Sequence, residues 1–189
     1  MPKTFKRHPL TRMFLAIALF AALPVAAASQ ASRTQIVMLG TGTPIPDPER
    51  YGQAIAIVVD SVAYLFDAGV GVGRRATAAG VLGVKAFASR TPTGQPTARF
   101  DRVFLTHLHS DHTLGIADAI FTPWIQGRTN PLDVYGPPGT ARLVNGILDA
   151  YHDDIVERLG SSMGPPVDGW KARAHEITAG EVFRDTRIS

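Results

Sequence analysis

The chain has 189 residues, the length of one ordinary domain with room for a short appendage. Its 45% hydrophobic and 8% aromatic content suits a packed core, and 18 glycines with 14 prolines fall short of a low-complexity chain; collagen, coiled coil and wholesale disorder are excluded. The net charge of +3 invites a nucleic-acid reading. Lys3, Lys6, Arg7 and Arg12 account for it, since residues 1–28 hold no acid and the rest of the chain comes to about −1. With no cysteine, disulfides, thiolate metal ligands and a cysteine nucleophile are ruled out.

The N-terminus has the three-part layout of a secretory signal: a basic opening, an apolar run over residues 13–25, and Ala26-x-Ala28 as the cleavage site. The run is shorter than the ~20 helical residues that a ~30 Å hydrocarbon core requires, so no stable membrane span is expected. Residues 1–28 are therefore expected to be a signal peptide that sends residues 29–189 to a bacterial periplasm or exterior.

Along the mature portion, residues 34–39 (TQIVML) form an expected strand stopped by the Gly/Thr loop Gly40–Pro44. Residues 54–59 and 63–66 are two more strands around a turn at residues 60–61. A helix is expected over 72–79, closed by Gly80, and residues 90–99 are a Pro/Thr/Gly loop. Residues 102–105 (RVFL) form a fourth strand, 116–121 a helix ended by Pro123, and 132–135 a fifth strand. Thr140 is expected to cap one long helix to about residue 159, with Leu143, Val144, Ile147, Leu148 and Tyr151 on its apolar stripe. Strands at 174–177 and 181–188 follow, around a turn at Gly180. Strands alternating with helices indicate an α/β sandwich.

Three of the five histidines beyond the leader lie within six residues, in Thr106-His107-Leu108-His109-Ser110-Asp111-His112, at the end of the RVFL strand. In extended chain, side chains alternate, which puts His107, His109 and Asp111 on one side and turns Leu108 into the core. His112 breaks the parity and reaches round as the chain bends. Imidazole and carboxylate are the ligands zinc takes when thiolate is absent. The set suits two ions, one ionising a water near neutral pH and the other polarising the substrate.

The pattern His107-x-His109-x-Asp111-His112 resembles the metal motif of the metallo-β-lactamase superfamily. The segments MLGTGTPIPDPERYG (38–52), YLFDAGVGVGRRA (64–76) and TPWIQGRTNPLDVYGPPGT (122–140) resemble its ribonuclease Z and arylsulfatase-like branch. The resemblance implies an αββα sandwich with the metal site at one edge. It implies that His107 and His109 bind a first zinc and Asp111 and His112 a second, with Asp111 also the catalytic proton carrier. Asp67 matches a family acid near the site; it is either a partner that orients a ligand imidazole or a turn-forming Asp before Gly69.

The family completes its site with a further His, a bridging Asp and a last His, and His152 and His175 are out of register for these. Residues 29–189 are thus expected to form the N-terminal half of the sandwich, whose unpaired sheet edge and apolar face invite aggregation or homodimerisation. The expected function is that of an exported zinc hydrolase cleaving a phosphodiester, sulfate ester or similar small-molecule ester. An inactive remnant that at most binds metal is the alternative. The leader and the near-neutral mature charge argue against a nucleic-acid substrate.

Overall fold

The structure is a computed structural model that describes residues 34–59, 62–79, 100–162 and 164–188. The leader, the turn at 60–61, the helix end at Gly80 and the loop at 90–99 lie outside the described residues. Six strands form one sheet in chain order: β1 (Gln35–Gly40), β2 (Ala54–Val59), β3 (Val62–Phe66), β4 (Arg102–Phe104), β5 (Leu132–Gly136) and β6 (Ala172–Glu176). β1, β2 and β3 are antiparallel, whereas β3 to β6 run parallel. The parallel crossovers carry the helices α1 (Val72–Ala79), α2 (Ser110–Thr113), α3 (Ile116–Ile125), α4 (Thr140–Ala150) and α5 (His152–Gly160).

The period-two alternation of the strands sorts the sheet into two faces. One row pairs Val37, Ala56, Leu65, Val103, Val134 and Ala174 straight across all six strands. These residues share one core with Val72 and Ala76 of α1, Ile116, Ile120 and Trp124 of α3, Val144 of α4 and Ile155 of α5. The next row, Met38, Ile55, Phe66, Phe104, Tyr135 and His175, belongs to the opposite face. Its rings stack strand to strand, with centroids 5.1, 5.0 and 4.4 Å apart from Phe66 to His175. The described residues therefore supply one helical layer and one sheet of the αββα architecture.

Residues 181–188, expected as a strand, have no regular structure. They make side-chain contacts with the aromatic face instead of pairing with its edge: Phe183 meets Phe104 and Tyr135 edge-on, each at 5.5 Å. The Tyr64 hydroxyl donates to Asp185 Oδ2 at 2.6 Å. Burial first, and then this carboxylate, push the Tyr64 phenol up to about 12.

Two helices differ from expectation. α3 runs through Pro123 instead of ending there. Proline cannot donate to the carbonyl four residues back, and that carbonyl belongs to Ala119. The buried Arg128 guanidinium takes its place, with Nη1 donating to Ala119 O at 3.0 Å and Nη2 to Ile120 O at 2.7 Å and Gly169 O at 2.8 Å. The expected long helix from Thr140 is broken at Tyr151 (φ −102°, ψ 15°) into α4 and α5. Thr140 is not its cap. Gly139, at φ 105°, holds that position, and Glu176 Oε1 accepts the Gly139 and Ala141 amides at 2.8 and 3.1 Å. Among the described residues no helix is long and apolar enough to cross a membrane.

Replacing Arg128 by Leu leaves the Ala119 carbonyl buried without its donor. The expected loss is about 2–3 kcal/mol of unfolding free energy by denaturant titration. Adding Pro123→Ala, which restores the missing backbone N–H, should recover part of that loss.

Candidate metal centre

The site is assembled at the C-terminal ends of the parallel strands β3 and β4, where open α/β sheets place their ligands. Asp67 follows β3 directly. Its backbone sits in the left-handed region (φ 59°), which Asp tolerates better than most residues, and its amide donates to Phe104 O at 2.9 Å. Its side chain is buried and carries four contacts. The Thr106 amide donates to Oδ1 at 2.8 Å, and the Thr106 hydroxyl reaches Oδ1 at 3.0 Å and Oδ2 at 2.9 Å. His112 Nδ1 lies 2.7 Å from Oδ2.

A carboxylate only accepts hydrogen bonds, so the His112 ring proton belongs on Nδ1 and the Nε2 lone pair is left open. The Thr106 hydroxyl has one proton, which goes to Asp67. It can then only accept from His107 Nδ1, 3.0 Å away, which opens Nε2 of His107 as well. One buried carboxylate thus sets two imidazoles, one directly and one through a threonine hydroxyl.

The chain is extended at His109 (φ −64°, ψ 149°) and turns into α2 at Ser110. The expected alternation therefore ends at His109, and Asp111 stands in the first turn of α2 instead of continuing a strand. The turn still brings the motif together. His107 has its ring centroid 4.5 Å from that of His109 and 4.1 Å from that of His112, and Asp111 Oδ2 lies 3.5 Å from His112 Nε2. Among the described residues no three His, Asp or Glu side chains stand in an arrangement that would itself hold an ion. Imidazoles engaged at Nδ1 and a carboxylate beside His112 are donor types that zinc accepts.

Backbone contacts lock α2 to the segment after β3. The Ala68 amide donates to His112 O at 2.8 Å and the Gly115 amide to Ala68 O at 2.7 Å. Gly69 is wedged so tightly that a Cβ would lie 2.4 Å from Gly52 C and 2.6 Å from Asp111 O, so glycine is needed for this close approach.

Asp67 fills both roles left open by the sequence, since it makes the turn and orients an imidazole. Thr106 is the functional residue that sequence reasoning missed; its signal was its place directly before His107. His152 is exposed at the start of α5, and His175 stacks on Tyr135 and meets Asp133 Oδ1 at 2.8 Å. If Asp67 orients the ligands, Asp67→Ala should weaken zinc binding by about 10–100-fold in competition with a chromophoric chelator. Unchanged affinity would show that the carboxylate serves the fold alone.

Residues 47–177 match the metallo-β-lactamase superfamily. The chain is 37% identical to the ribonuclease Z of Mycobacterium bovis BCG and 36% identical to that of Mycobacterium marinum, each over 156 residues, covering 79% of this chain and 49% of the relative. It spans about half the length of these curated relatives. Human tRNase Z, short form, superposes with a TM-score of 0.51 at 24% identity over 76% of this chain and 46% of that one, a likeness of fold. These relatives correct the expectation that nucleic acid is an improbable partner. Net charge was a poor guide because RNA meets a local surface, and a sum over about half of the relatives' length does not describe it. The match over residues 47–177, with the His107–His112 cluster at the strand ends, makes this chain a member of the metallo-β-lactamase superfamily.

Proposed function

We propose that this chain carries the metal-binding segment of a zinc-dependent, ribonuclease Z-like hydrolase that cleaves a phosphodiester in RNA. The observation that carries the reading is the Asp67 carboxylate, which engages Nδ1 of His112 directly and that of His107 through Thr106 and so leaves both Nε2 atoms open, that of His112 lying 3.5 Å from Asp111 Oδ2. In this reading His107 and His109 hold one ion, and Asp111 and His112 a second. Zinc, when bound, supplies an ionised water at neutral pH and polarises a phosphoryl oxygen. The protein's own part is positional. Asp67 keeps the ring protons on Nδ1, Thr106 relays that constraint to His107, and Asp111 is the group that carries a proton to or from the reacting oxygen.

The ribonuclease Z relatives support RNA over a small ester as substrate. Export is proposed on sequence grounds: the layout of residues 1–28 supports delivery to a bacterial periplasm or exterior. A second reading, a half-domain that binds metal without turnover of its own, is favoured by the lack, among the described residues, of a three-ligand group able to hold an ion.

Zinc titration followed by hydrolysis of a precursor transfer RNA and of bis(p-nitrophenyl) phosphate separates the two. The hydrolase reading expects turnover that chelation abolishes and zinc restores, and that His109→Ala lowers by about 100-fold or more. Zinc bound with no turnover of either substrate would establish the half-domain. No zinc bound at all would overturn both.

A further inference from the structure

The parallel strands β4, β5 and β6 end side by side, and the segments that leave them are tied together. The Leu105 amide donates to Tyr135 O at 2.7 Å and the Ile177 amide to Gly136 O at 2.8 Å, so the loop after β5 lies between the metal motif and the end of β6. Its turn at Gly139 comes so close to Leu108 that a Cβ there would lie 2.9 Å from Leu108 Cδ1. Glu176 Oε1 holds the same turn by accepting the Gly139 and Ala141 amides. The first amides of a helix are usually met by a neighbouring Ser, Thr, Asp or Asn. Here the Thr140 hydroxyl turns back to Pro137 O at 2.7 Å, and the acceptor comes from a carboxylate 37 and 35 positions away.

We propose that Glu176 is a positioning residue of the metal centre: it seats the Gly139 turn on Leu108 and so fixes the direction in which His109 leaves the chain. The inference rests on the metal-binding reading above. Asp67 reaches the His112 ring directly and the His107 ring through Thr106, whereas among the described residues no side chain hydrogen-bonds the ring of His109. His109 is therefore placed through its backbone. On the side toward α2 its carbonyl accepts from the Thr113 hydroxyl at 3.0 Å and from the His112 amide at 3.1 Å. On the other side stands Leu108, which packs partly buried against the core and which strand alternation sets opposite the flanking imidazoles. Pinning Leu108 from the loop after β5 fixes that second side. Glu176 acts only through this loop, at the end of a strand that carries none of the metal motif.

NMR of the full chain without metal gives the first readout. Glu176→Ala, at an exposed position, should remove the nuclear Overhauser contact between the Leu108 methyls and the Gly139 Hα and should shift the imidazole signals of His109. Glu176→Gln keeps an Oε1 acceptor for both amides and should retain the contact and the signals. Persistence of the contact in Glu176→Ala, unmoved His109 signals, or equal loss in both variants would overturn the proposal. Zinc competition against a chromophoric chelator gives the second readout. Glu176→Ala and Leu108→Ala should each weaken binding by about tenfold, and the double variant no more than the weaker single, because both cut one path. Losses that multiply would show that Glu176 serves α4 independently of Leu108, and would overturn it as well. The first readout needs no zinc, so a chain that binds none sinks the earlier reading and leaves this one to be decided by the spectra.

Discussion

The site depends on the hydrogen bonds that converge on one buried carboxylate. Asp67 accepts from the Thr106 amide and hydroxyl and from His112 Nδ1, and its own amide is tied to the end of β4. An acceptor that is buried and this fully engaged has little freedom to move, because each lost bond leaves a desolvated polar atom. The strain of a positive φ at Asp67 is small beside that network and fixes the direction of its side chain. The His112 and His107 imidazoles are tied to that network, one directly and one through Thr106.

The fold explains why this carboxylate can do so. β3 and β4 are parallel neighbours, with Phe66 opposite Phe104, so the residues that follow them emerge side by side. The Gly52, Gly69 and Gly115 backbones then approach too closely for any side chain, which brings α2 against the turn after β3. Two arrangements at the strand ends act together: the Asp67 hydrogen bonds orient His112 and His107, and the glycine contacts hold α2 against the turn after β3. The aromatic row across the far face is a separate matter. It packs Phe66, Phe104, Tyr135 and His175 in register, while Ile36 and Met38 on β1 stay exposed.

Much of this was legible in the sequence where the signal is local. Alternation in AIAIVV and the apolar run RVFL gave strands within a residue of those observed, and the crowded His107, His109 and His112 do come together at the strand ends. What failed depended on distant partners. Pro123 reads as a helix end until Arg128 supplies the donor that proline lacks. Residues 181–188 read as strand-like, yet Phe183 packs on the aromatic face and Asp185 accepts from Tyr64. Thr106 was passed over despite its place before His107, because its contacts are with Asp67, 39 positions earlier and brought near by strand pairing. Net charge is a weak guide for a related reason, since it sums over a whole chain what nucleic-acid recognition reads locally.

Asp67 is inferred to fix the protonated nitrogen of the His107 and His112 imidazoles in the metal-free chain. Long-range proton–nitrogen NMR correlation of the metal-free chain reads this directly, ring by ring. The neutral rings of His107 and His112 are expected to be protonated on Nδ1 with Nε2 bare, and Asp67→Ala is expected to let both revert to a mixture. Finding Nε2 protonated in both rings of the unaltered chain would contradict it.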